Sequence, residues 1–232
     1  AGLDHFSIFW TEQEPDSSMP ASLVHEWKAE DLELSSLPPT PIKIDLHNEG
    51  FSRWVQFFNE GKTVFGNVID FPPEEREHLQ KQKIHSTIGI PIQVGTDWWG
   101  FMRLDECGAE RKWSDVEIEA LRAAANTLGT SIERKISEEA LRYSEISYRG
   151  LFNTVQDAIY IQDSEVRFLD VNEGAVRTYG YSKNYFLGKT PEFLSAPGKN
   201  DLNKLSHIVQ LAYQGEPQQF EFWGLRKNGE IF

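Results

Sequence analysis

Few residues in this chain have the type and spacing to do covalent chemistry. Cys107 is its single cysteine, which excludes an internal disulfide framework and a zinc site built on several thiolates. No glycine-rich phosphate loop of the Walker type, no Gly-x-Ser-x-Gly elbow and no His-Glu-x-x-His helix occurs, so no catalytic residue and no metal ligand is expected. Binding is the chemistry that remains. Phe9, Trp10, Trp27, Phe65 and Trp99 in the first half, and Tyr160, Asn172 and His207 in the second, offer ring faces and polar handles of the kind that line a small-molecule cavity. Buried aromatic side chains mostly pack, so an ordinary core position stands beside the functional reading of each.

These residues must be positioned by a folded scaffold. The 232 residues are enough for two ordinary domains, and an apolar fraction of 39% with seven Trp supplies their cores. A formal charge of −13 repels phosphate backbones and anionic lipid, so neither nucleic acid nor direct membrane contact is expected. No stretch reaches the ~18 to 20 uninterrupted apolar residues of a membrane helix, and residues 1–10 lack the plan of a signal peptide. With one cysteine, a reducing, cytoplasmic location is expected.

Alternating apolar positions predict strands over 5–10 and 21–29, a hairpin punctuated by the Pro- and Ser-rich run 14–20. Helical spacing predicts a helix within 45–61 that stops at Gly61. A strand over 63–71 is followed by Pro72, Pro73 and acidic residues, which is helix-start chemistry. Strands over 85–94 and 97–105 flank Gly95-Thr96. The longest helix opens at Ser114 or Asp115, with Glu117 placed for a capping box, and runs to about Gly150. After Gly150 two short strands are expected about Asp163-Ser164-Glu165, then a helix over 173–179 ending at Gly180, and a strand over 220–225 before Lys227-Asn228-Gly229.

Along the long helix Ile118, Leu121, Ala125, Leu128 and Ile132 recur three, four, three and four apart. That is a heptad seam, and it predicts a parallel homodimer through Ile118, Leu121, Leu128 and Ile132. The other reading buries this face against the preceding sheet. Beyond Ile132 the phase slips, because Ile136, Ala140 and Tyr143 fall four, eight and eleven residues on, a stutter that locally unwinds a coiled coil.

Two resemblances follow from particular motifs. Asp157-Ala158-Ile159, the Asp163 turn, Val171-Asn172, Gly180-Tyr181-Ser182, Leu187-Gly188, Gly215 and Arg226-Lys227-Asn228-Gly229 make the second region resemble a PAS domain. Gly61-Lys62-Thr63-Val64-Phe65-Gly66, Ile88-Gly89-Ile90-Pro91-Ile92, Trp98-Trp99-Gly100-Phe101 and the stretch from Arg111 to Glu117 make the first resemble a GAF domain of bacterial and archaeal sensor kinases. Together they imply an α+β fold: a GAF-like domain over 1–134, a helical linker over 135–149 and a PAS-like domain over 150–232. Each domain would be a central antiparallel sheet flanked by helices. The resemblance places a GAF opening helix before Ala1 and the last two PAS strands after Phe232.

What the resemblance implies for function is sensing. An unknown small molecule, or a partner, would bias one domain, and the linker helix would pass the shift to an output domain outside this sequence. That output would be a histidine kinase or, alternatively, a diguanylate cyclase, and a ligand-free spacer is the competing role. His207 lies in the neighbourhood where haem-binding PAS domains carry an axial ligand, so haem is a minor expectation. A covalent bilin is not expected, since Cys107 falls in the wrong segment. A flavin photoadduct is not expected either, since the second half has no cysteine. Trp113, Asp115 and Glu117 echo a cyclic-nucleotide signature but are equally explained as helix capping.

Overall fold

The computed structural model describes residues 3–12, 18–29, 40 and 43–232. It divides into two compact units, 1–139 and 140–232. The division falls within one helix, α3 (Asp115–Thr154), whose 40 residues are uninterrupted.

In the first unit β1 (His5–Thr11), β2 (Pro20–Lys28), β3 (Lys43–Asp45), β4 (Val64–Asn67), β5 (Ser86–Val94) and β6 (Asp97–Glu106) form one sheet in the order β3-β2-β1-β6-β5-β4. All neighbours pair antiparallel. The expected hairpin is β1 and β2, although most of its connecting run, 13–17, lies outside the described residues. Period-two alternation gives the sheet two apolar faces. Ile88, Ile90 and Ile92 of β5 join Met102 and Leu104 of β6 on one face. Phe9 and Phe101 point to the other, under α1 (Ser52–Asn59), which buries Trp54, Val55 and Phe58 there. Burial of each of these rings stabilises the fold by about 2 kcal/mol. Gly89 is required on this face, because a Cβ there would come within 2.7 Å of Trp54 and 2.9 Å of Phe58.

The helix expected over 45–61 is shorter. Asp45 Oδ1 accepts from the backbone N–H groups of His47 and Asn48, which stabilises a turn, and α1 begins only at Ser52. The strand expected over 63–71 ends at Asn67 and passes into a 3-10 turn, Val68–Asp70. Helix α2 (Pro73–Lys81) starts on its proline, with Glu74 and Glu75 in the first turn.

Helix α3 starts with the expected capping box. Glu117 accepts from the Ser114 N–H at 2.9 Å and from its hydroxyl at 2.7 Å, and Ser114 Oγ accepts from the Glu117 N–H at 3.3 Å. The heptad seam, however, is turned inward. Ile118 and Ala125 are buried, and Leu121, Leu128 and Ile132 pack beside them on the isoleucine face of the sheet. The stripe of Ile118, Leu121, Leu128 and Ile132 thus lies against the domain's own sheet, and packing there satisfies the same spacing as a coiled-coil seam.

The second unit pairs β7 (Tyr160–Gln162) with β8 (Phe168–Val171) and adds α4 (Glu173–Tyr179), α5 (Lys183–Phe186) and α6 (Leu202–Tyr213). Its core is Phe168, Val171, Ala175, Tyr179, Phe186 and Leu194. Helix α4 ends at Gly180, whose φ of 76° is the left-handed conformation glycine adopts at low cost. Residues 220–225 do not form the expected strand. Only isolated bridges, Ser195 to Gly224 and Leu225 to Ile231, occur there, the second closing over Lys227-Asn228-Gly229.

Candidate functional site

The candidate residues of the first unit do not converge. Phe9 is fully buried and stacks on Phe101 with ring centroids 5.0 Å apart. Trp10, its neighbour, points to the opposite face and is 39% exposed, Trp27 is 49% exposed, and Phe65 on edge strand β4 is 47% exposed. Trp99 packs partly buried beside the isoleucine face. A single cavity lined by all five is excluded by strand alternation and by the width of the sheet between β4 and β2.

What the interior of the α1 face does hold is a polar cluster that the aromatic search missed. His5 Nδ1 and Nε2 lie 3.0 Å from Asp105 Oδ2 and from Glu26 Oε1 respectively. Arg103 Nε donates to Asp105 at 3.0 Å, its Nη2 donates to Gln82 at 3.0 Å, and its guanidinium lies 5.6 Å from the Phe9 ring centroid. Thr87 donates to Asp105 Oδ1 at 2.6 Å. Burial alone would raise the pKa of Asp105, but the charges of Arg103 and His5 and the bonds to them outweigh it and hold the carboxyl below its ordinary range. Nearby, buried Glu75 accepts from Arg53 at 2.8 and 2.6 Å and from Trp54 Nε1 at 2.9 Å. These charges answer one another, so the cluster locks β1, β5 and β6 in register. Its signal in the sequence was Arg103 and Asp105 alternating with Met102 and Leu104 in a central strand.

Cys107 is partly buried, and its thiol is pushed up to about 12 by burial and by the neighbouring Asp105 and Asp4 carboxylates. At neutral pH it is a thiol, not a nucleophilic thiolate. Glu117 is engaged by Ser114 and Arg111, so the Trp113 to Glu117 stretch caps α3.

In the second unit Asn172 is fully buried and structural. Its Oδ1 accepts from the N–H groups of Ala175 and Ile159, both at 2.9 Å, and its Nδ2 donates to the carbonyls of Asp157 at 2.9 Å and Val155 at 3.3 Å. That uses its polar atoms to fasten α4 to the chain leaving α3. Asn153, in the last turn of α3, also accepts from the Glu173 N–H at 3.1 Å. Tyr160 packs against Phe168 and Tyr179, and its hydroxyl pKa is raised by burial and by Tyr179.

A cavity of about 260 Å³ lies beneath α6. Leu202, Leu205, Ser206 and Val209 of α6 form its roof, and Val166, Pro191, Ser195 and Phe222 lie among its other walls. His207, the candidate on this helix, is exposed and is not among the residues lining the cavity. No nucleophile paired with a base lines this cavity among the described residues.

An antiparallel sheet with helices on both faces, sharing a long helix with a smaller α+β domain that holds a cavity, defines a tandem of sensory-type domains. Residues 2–132 match the GAF domain family and residues 147–209 match a PAS domain family. The chain belongs to the GAF family and carries a PAS domain after it. It is 32% identical over 128 residues to the methanogenesis regulatory histidine kinase FilI of Methanothrix harundinacea, a match covering 55% of this chain and 14% of that protein. It is 30% identical over 135 residues to the methyl sulfide methyltransferase-associated sensor of Methanosarcina acetivorans, covering 56% of this chain and 13% of that one. The matched stretch is thus a small part of either relative. In fold it is similar to the Thermosynechococcus elongatus PixJ GAF domain in its blue-light absorbing form, with a TM-score of 0.50 and 17% identity over 61% of this chain and 81% of that one. Among the described residues, no helix is long and apolar enough to cross a membrane.

Proposed function

We propose that this chain is the sensory region of a larger two-component sensor histidine kinase. In this reading a small molecule biases the packing of the PAS domain, and α3 transmits the shift toward an output domain elsewhere in the parent protein. The GAF domain serves as the rigid platform, because Phe9, Phe51, Trp54, Phe58 and Phe101 fill its interior, each no more than 2% exposed. The carrying observation is α3 itself, whose first half is part of the GAF core and whose last turn is bonded to α4 of the PAS domain. A switch of this kind needs a ligand with different affinities for two packings.

The proposal includes a homodimer, now through the second half of α3. Ile136, Ala140 and Tyr143 extend the seam past the sheet, and Ile136 and Tyr143 are 49% and 75% exposed. A second copy would cover them. Native mass spectrometry of the purified chain tests both parts, with a dimer carrying added ligand mass as the expected result. A monomer with no capacity for ligand would overturn the proposal in favour of a spacer.

A further inference from the structure

We infer that the cavity beneath α6 accepts a small, neutral, mostly apolar molecule of one or two rings. This rests on the ligand-sensing role proposed above and adds the chemistry of the ligand.

The first argument is packing. Helix α6 is amphipathic, yet none of its residues is buried. Leu205 and Val209 face the cavity from an apolar stripe that lacks core contacts. The helix is nevertheless held at both ends. Asp201 caps its start by accepting from the N–H groups of Asn203 and Lys204, and the Tyr213 hydroxyl at its end donates to the Asp163 carbonyl. A guest of apolar surface would supply the contacts that α6 lacks, without requiring the helix to find a new anchor.

Size and charge narrow the guest. An apolar cavity of about 150 Å³ is enough for benzene, so about 260 Å³ admits one or two rings. Among the described residues no Lys, Arg or His lines the cavity, whereas Glu165 and Glu192 do. An anion there would therefore meet like charge and no counterion. Glu165 is already paired with Arg167 at 3.0 Å, which lessens the attraction for a cation.

Backbone strain marks the lip. Val166 has φ of 63°, a conformation a β-branched residue adopts at a cost of about 1 to 3 kcal/mol. It is pinned there, because its N–H donates to the Asp163 carbonyl at 3.0 Å and its own carbonyl accepts from Gln162 Nε2 at 3.2 Å. The strain aims a branched apolar side chain at the cavity, a position that suits a ligand clamp.

The test is ligand-observed NMR and calorimetry on the whole chain with three ring-matched probes: p-cresol, benzoate and benzylammonium. The expected result is saturable p-cresol binding with Kd of about 0.1 to 1 mM, at least about ten-fold tighter than either ion. Val209→Trp, which fills the cavity, should abolish it. Ser206→Trp, at an exposed position on the rim, should do the same where Val209→Trp impairs folding, with circular dichroism confirming the fold. Tighter binding of either ion would overturn the neutral-ligand inference while leaving ligand sensing standing. No binding by any probe, or binding unchanged in both folded variants, would remove the cavity as a ligand site and with it the sensing role of this domain.

Discussion

Gly129 of α3 lies so close to Gln93 of β5 that a Cβ on the glycine would sit 2.0 Å from the Gln93 carbonyl oxygen. The helix therefore docks on the sheet through backbone contact, and the isoleucine face beneath it fixes its rotation. Gly129→Ala must either lift α3 or shift β5. It should destabilise the GAF domain by about 2 to 3 kcal/mol, read as a lower urea midpoint. Thr130→Ala, at an exposed neighbour whose hydroxyl bonds only the Asn126 carbonyl, should change stability by less than about 0.5 kcal/mol.

Leu128 and Tyr143 separate the two uses of α3. Leu128→Asp places a charge against the sheet and should cost the GAF domain about 2 to 4 kcal/mol. Tyr143→Asp lies on the exposed stripe and should leave the thermal midpoint unchanged while weakening the dimer at least ten-fold by light scattering. The reverse pattern would return the dimer seam to Leu128.

Glu75 links α2 to Arg53 and Trp54 of α1 in a nearly buried site. Glu75→Gln keeps the shape but leaves Arg53 without its charge partner. A loss of about 2 to 3 kcal/mol is expected in chemical denaturation, and a loss below 0.5 kcal/mol would show the pair to be dispensable.

Acid should loosen the start of α3 over a defined window. The Ser114 N–H and hydroxyl, and then Arg111, hold Glu117 down from 4.5 to about 2. A carboxylate with a depressed folded pKa contributes stability that is fully present above about 4.5 and is lost as pH falls toward about 2. An NMR titration of the Glu117 side chain should give the low midpoint, and in Glu117→Gln the protection of this first turn's amides, relative to their intrinsic exchange rates, should no longer change across that window.

Much of this architecture was legible in local chemistry. Ser114 with Glu117 announced the start of α3, whereas Asn172, read as a candidate binding residue, is the buried N-cap of α4. Other features needed the third dimension. The 3-4 spacing of Ile118 to Ile132 is shared by a coiled coil and by a helix on a sheet, and only the facing isoleucines of β5 decide between them. Phe9 and Trp10 were both candidates to line one cavity, although adjacent strand residues face opposite ways. The cavity beneath α6 was illegible because its walls come from separated segments, and His207 stood out by residue type while its neighbours Ser206 and Val209 held the geometry.

Transmission along α3 is tested most directly by pulsed electron spin resonance on the whole chain labelled at Arg142→Cys, with Cys107→Ser removing the native thiol. The account predicts one inter-protomer distance that shifts when p-cresol saturates the protein and does not shift in Ser206→Trp. Absence of an inter-protomer distance, or a distance that stays fixed at saturation, would contradict it.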